Sequence, residues 1–185
     1  MQKFETLILC SILLLGGCSS AKSSESAAQA AYEGYYTSIE TNSSFAQSSL
    51  YYSVSAEMTQ MSDSTYRYYV VIDNPQIAMY DIVVMAVEND IPLASSEKMM
   101  PNIGIFDSRK YCMIPFQSNP DDGYVKGIVI SGETDSNPVS LKMLVEWKDR
   151  NHENAEREFL QMELTPDGIT STAEPEASAS AEAEN

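Results

Sequence analysis

Histidine is nearly absent from this chain. His152 is the only one, and it sits in the polar run Asp149-Arg150-Asn151-His152-Glu153-Asn154, where a solvated turn is expected. A Ser-His-Asp or Cys-His site would have to use that residue, and a catalytic base needs an oriented partner. Zinc needs several His or Cys ligands, which the chain does not supply. Basic residues are scarce too: 11 Lys and Arg stand against 27 Asp and Glu, for a net charge of −16. That sign repels phosphate backbones and anionic headgroups, which argues against nucleic acid as a partner and against peripheral binding to acidic lipid. No Gly-rich phosphate loop is present. Paired carboxylates occur at Asp121-Asp122 and Glu88-Asn89-Asp90, but without EF-hand spacing. Calcium is the one ion such loops could serve. Solvated turns are the expectation for them, with no metal and no cofactor.

Long apolar runs are also missing, except for one near the start. Leu7, Ile8, Leu9, Ile12, Leu13, Leu14 and Leu15 follow Lys3, and the run is too short for a spanning helix of roughly 20 residues. It ends in Leu15-Gly16-Gly17-Cys18. This order of basic n-region, apolar h-region and small-small-Cys resembles the lipobox of bacterial lipoproteins. The resemblance implies a signal peptide over residues 1–17, cleavage before Cys18 and a diacylglycerol on its thiol. It places the mature protein outside the cytoplasm, held to the cell membrane by the lipid on Cys18. Ser19 after the cysteine resembles sorting to the outer membrane in a cell that has two. Cys10 then leaves with the signal and Cys18 is acylated, so Cys112 alone remains and no internal disulfide can form. It is expected as a buried, inert thiol on a strand face shared with Ile114 and Phe116.

Composition divides the rest into three zones. Residues 18–49 are rich in Ser and Ala and read as a flexible tether. Tyr32, Tyr35, Tyr36, Ile39 and Phe45 are unusual there, and packing of that part as a short helix or extra strand would account for them. Residues 50–165 hold alternating apolar and polar positions, with 18 acids against 9 bases. Residues 166–185 open with Pro166-Asp167-Gly168, carry five acids and no base, and read as a disordered acidic tail.

The middle zone has the period-two pattern of strands. Tyr52, Val54, Ala56 and Met58 alternate with polar residues, as do Tyr66, Tyr68, Val70 and Ile72 with Arg67, Tyr69 and Val71. Residues 82–87 are apolar on both faces, as in a central strand. Residues 102–107 and 110–116 read as two shorter strands, and residues 124–130 as another. Leu141, Met143, Val145 and Trp147 share one face, and Leu160, Met162 and Leu164 return beside it after a turn at 149–154. About seven to eight short strands and no strong amphipathic helix predict an all-β antiparallel sandwich. The pattern is similar to the immunoglobulin-like modules of bacterial surface lipoproteins. Trp147 and the tyrosines at 51, 52, 66, 68 and 69 are expected mainly as core and cross-strand packing.

These readings describe a lipid-anchored binding or scaffold module that recognises protein or glycan at the cell envelope. The alternative is an immunity or inhibitor lipoprotein that neutralises a toxin or enzyme at the membrane; the acidic domain suits a basic target. An enzyme is disfavoured by the missing site residues. Binding residues concentrate on the loops of a rigid scaffold. Strict alternation of strand direction puts the turns 61–64, 89–101, 117–123 and 149–154 at the pole away from the membrane, and 73–79, 107–110 and 131–139 at the near pole. The candidate binding residues are accordingly Asp90, Lys98, Asp121, Asp122, Asp149 and Glu153.

Overall fold

The computed structural model describes residues 19–62 and 64–170; Cys18 and the signal segment lie outside them. The middle zone forms two antiparallel sheets. One contains β1 (Ser53–Gln60), β2 (Tyr66–Asp73) and β5 (Gly127–Thr134), in the order β1-β2-β5. The other contains β3 (Tyr80–Glu88), β4 (Asn102–Ile103), β6 (Val139–Lys148), β7 (Ala155–Thr165) and β8 (Gly168–Thr170), in the order β4-β3-β6-β7-β8. The chain leaves the first sheet after β2, returns to place β5 beside β2, and crosses again to place β6 beside β3. That Greek-key path is the one an immunoglobulin-like sandwich uses, and the expected fold class holds.

Alternation explains the core. Tyr68, Val70 and Ile72 of β2 and Ile128 and Ile130 of β5 face inward. They meet Val84 and Ala86 of β3, Leu141, Met143, Val145 and Trp147 of β6, and Leu160, Met162 and Leu164 of β7. Each buried Val, Leu, Ile or Met among them contributes roughly 1.5–3 kcal/mol by leaving water. Trp147 belongs to this core and stacks near Tyr51 and Tyr52 at ring distances of 5.6 and 6.0 Å. Tyr52 and Tyr68 are buried, whereas Tyr51 keeps 41% of its surface exposed. Cys112 is buried and unpaired.

The flexible-tether reading is corrected for residues 19–49. Ser19–Thr41 is a helix of 23 residues, α1. Tyr32, Tyr36 and Ile39 recur at helical spacing and are buried against Met85, Val87, Met100 and Leu144. This explains why β3 is apolar on both faces: Ile82, Val84 and Ala86 look into the sandwich, while Met85 and Val87 look toward the helix. Phe45 then packs edge-on against Phe159, with ring centroids 6.1 Å apart. Ala46 bridges Leu160 in parallel. The packed unit therefore begins near Tyr32, not at Leu50. Residues 24–31 are exposed except for the half-buried Ala28. At 1.5 Å per residue, the helix ahead of Tyr32 extends about 20 Å past the packed part.

Two further boundaries change. Of the strands expected at 102–107 and 110–116, only Asn102–Ile103 pairs as a strand, with Val84 and Met85. Gly104 ends it at φ +86, where a Cβ would collide with the Ile82 carbonyl. The following loop is held by the bridges Met79–Met113 and Cys112–Tyr124. At the other end, Gly168–Thr170 forms β8 on β7, so the tail begins later than Pro166; residues 171–185 lie outside the described ones.

Losing a strand between β3 and β5 moves loops between poles. Residues 61–65, 89–101 and 135–138 share the first pole. Asn89 there donates to Ser136 at 2.9 Å, and Thr65 donates to Asp135 at 3.2 Å. Residues 74–79, 104–126 and 149–154 occupy the second pole, where Asp73 faces Gly127 and Tyr80 faces Lys148. The expected partners of 89–101, the turns 117–123 and 149–154, are thus on the opposite end.

Candidate functional site

The candidate residues fall into two groups that do not converge. Asp90 and Lys98 are at the first pole. Asp90 pairs with Lys142 at 2.7 Å, and Lys98 Nζ donates to the Glu133 carbonyl at 3.1 Å. Asp121, Asp122, Asp149 and Glu153 are at the second pole. Asp122 accepts from the Asn119 side chain at 2.5 Å. Asp149 accepts from the Asn154 side chain at 2.7 Å and from the backbone N–H groups of Asn151 and Glu153 at 3.1 Å each. The Asn154 bond, outweighing partial desolvation, holds the Asp149 carboxyl below its ordinary value. Asp122 and Asp149 thus close their own turns. Among the described residues no group of three or more His, Cys, Asp or Glu is placed to hold a metal ion.

His152 is not simply solvated. Its Nδ1 lies 3.3 Å from Asp81, which also lies 3.5 Å from Lys148. Its ring sits 5.1 Å from that of Tyr80. Burial pushes the Asp81 carboxyl up, but His152, Lys110 and Lys148 together bring it below its ordinary value. The pair ties the 149–154 turn to the start of β3.

Among the described residues, Phe116 is the most exposed large apolar side chain. Its side chain is fully exposed, at 108% of the reference area. It stands third in the turn Ile114-Pro115-Phe116-Gln117, which the Gln117 N–H closes on the Ile114 carbonyl at 3.1 Å. Pro115 fits the second position of such a turn, and the third needs φ > 0, where glycine or asparagine is favoured. Phe116 sits there at φ +62, a conformation that costs a bulky residue of order 1–3 kcal/mol. Beside it runs an open groove of about 460 Å³, bounded by Pro75, Gln76, Ile114, Pro115, Val125 and Lys126 among others. Ile77, on the adjoining loop, is 38% exposed. The alternation of Cys112, Ile114 and Phe116 implies a shared strand face, but the turn at Pro115 leaves Phe116 exposed. The available signal was Pro115 followed by the polar run Gln117-Ser118-Asn119-Pro120, which marks a turn.

A second groove, of about 360 Å³, lies at the first pole between β5 and the 95–101 loop. Glu88 lines it and accepts from the Tyr68 hydroxyl at 2.5 Å. Gly132 lies against this pair and leaves no room for a Cβ, which would come within 2.6 Å of Glu88 Oε1.

Comparisons of the chain with protein-family models, with curated proteins and with solved structures return no match.

Proposed function

We propose that this chain is a lipid-anchored extracytoplasmic binding module that recognises a protein partner through the second pole of its sandwich. Phe116 carries the reading. A fully exposed aromatic side chain held at an unfavourable φ beside a groove has no folding rationale, and aromatic anchors next to pockets dominate protein interfaces. The anchor rests on the Leu15-Gly16-Gly17-Cys18 motif. The helix over Ser19–Thr41 suits such an anchor, because it would lift the sandwich off the membrane surface. No helix among the described residues is long and apolar enough to cross a membrane.

Two experiments test the proposal. A photo-crosslinking phenylalanine analogue at position 116, introduced in intact cells, should give one discrete adduct. The same analogue at the exposed position 57 should give none. If both positions give the same smear, the pole does not recognise a partner. Replacing Cys18 with Ala should move the protein from the membrane to the soluble fraction; unchanged membrane retention would remove the lipid anchor. A tight adduct with a basic enzyme or toxin would favour the immunity reading within this same proposal, since the chain carries a net charge of −16.

A further inference from the structure

The three-stranded sheet ends in β5, and the outer edge of β5 has no backbone partner among the described residues. Backbone N–H and C=O groups of one strand residue point the same way and alternate in direction along the strand. The Glu133 carbonyl points outward, because Lys98 Nζ donates to it at 3.1 Å. By the same alternation the main-chain groups of Ser131 and Val129 point outward, while those of Ile128, Ile130 and Gly132 serve the pairing with β2. Val129 also exposes 51% of its surface on the outer face of the sheet. The first-pole groove runs along the upper part of this edge, between Ser131, Gly132 and Glu133 on one side and the 95–101 loop on the other.

We propose that β5 is an acceptor edge, and that an extended basic segment of a partner protein adds to it as a further strand. Main-chain hydrogen bonds to Val129 and Ser131 would supply affinity, and alternate side chains entering the groove would supply specificity. Charge fixes the chemistry of the occupant. Glu88, Glu97, Glu133 and Asp135 line the groove against one Lys98, and although Arg67 on β2 pairs with Glu133, the lining stays acidic. Lys98 already offers an ammonium group to the edge at Glu133, the kind of contact a basic strand would replace. A second copy of this chain is a poor occupant, since two chains of net charge −16 repel each other. The proposal concerns the opposite pole from Phe116 and stands independently of it.

The test uses the full chain with an eight-residue peptide of alternating lysine and valine as probe, and a glutamate-valine peptide as control. Amide exchange is read residue by residue. The amides of Val129 and Ser131 should exchange fast in the free chain and slow about tenfold or more with the lysine peptide, as new hydrogen bonds form. Those of Ile128 and Ile130 should be slow throughout. Ser131→Pro removes an outward donor without touching the β2 ladder and should weaken binding about tenfold, the scale of one or two main-chain hydrogen bonds. Glu133→Lys should weaken it as well. No binding, equal binding of the glutamate peptide, or binding without protection at Val129 and Ser131 would each overturn the proposal. The exchange pattern decides the matter even if Ser131→Pro does not fold.

Discussion

Tyr35 on α1 donates its hydroxyl to Glu146 Oε1 on β6 at 2.6 Å, and Arg157 on β7 donates to the other carboxylate oxygen at 2.5 Å. Arg157 also lies over the Tyr35 ring, 5.8 Å from its centre. Glu146 is 9% exposed, and a carboxylate so covered is tolerable only with donors on both oxygens. The helix and two neighbouring strands thus meet at one acid. Tyr35→Phe should lower stability by about 1–2 kcal/mol, as one bond to a charged group is lost, with urea unfolding as the measurement. An unchanged midpoint would show that the helix is held by apolar contact alone.

The apolar seam of the helix should matter more. Ile39→Ala removes a side chain that is 1% exposed and should cost about 2–4 kcal/mol. Glu33→Ala, on the exposed side of the same helix, should be nearly neutral. Deleting residues 19–41 should uncover Met85, Val87 and Leu144 and give a chain that binds hydrophobic dyes or aggregates. A fully stable, monomeric deletion variant would contradict the packing role of α1.

Stability should fall in alkali. Burial first, and then the neighbouring carboxylates Glu88 and Glu146, push the Tyr68 and Tyr35 hydroxyls above the ordinary value of 10.0. The unfolded chain then loses these protons at lower pH than the folded one, so ionisation favours unfolding. Their contribution is complete below about pH 10 and declines as the pH rises beyond it. Unfolding midpoints measured from pH 8 upward should show this decline, and Tyr35→Phe should make it shallower. A slope identical in the variant would remove Tyr35 as a cause.

Phe116 should show stability and binding in opposition. Phe116→Gly removes a side chain that touches little and relieves the positive φ, so the melting temperature should rise, by an amount equivalent to about 0.5–1 kcal/mol. The same variant should lose its partner. A lower melting temperature would mean that Phe116 packs on something after all.

The sandwich was legible in the sequence because alternation marks a strand with one face in the core. Leu141, Met143, Val145 and Trp147 all occupy β6, with Leu160, Met162 and Leu164 on β7 beside them. The apolar run at 82–87 signalled burial on both faces, but not that a helix would cover the second one. α1 was hidden by its Ser- and Ala-rich composition, although Tyr32, Tyr36 and Ile39 carried the spacing. Residues 110–116 misled because Cys112, Ile114 and Phe116 alternate like a strand while Pro115 bends them into a turn. That one extra strand sent Asp121, Asp122, Asp149 and Glu153 to the wrong pole. The edge of β5 had no signature at all, since whether a strand lies at an edge is decided by topology and not by its own residues.

The way α1 meets the sandwich also sets how the module yields under load. A pull on Ser19 travels along the helix and reaches the five-stranded sheet through Tyr32, Tyr36 and Ile39, across the sheet face. The helix seam therefore couples the N-terminal end of the described chain to the first pole. In the proposed lipid-anchored state, load entering there would reach the first-pole groove, because the Tyr32 hydroxyl accepts from the Met100 N–H at 2.7 Å and the Tyr36 hydroxyl donates to the Ile91 carbonyl at 3.1 Å, and both Met100 and Ile91 line that groove.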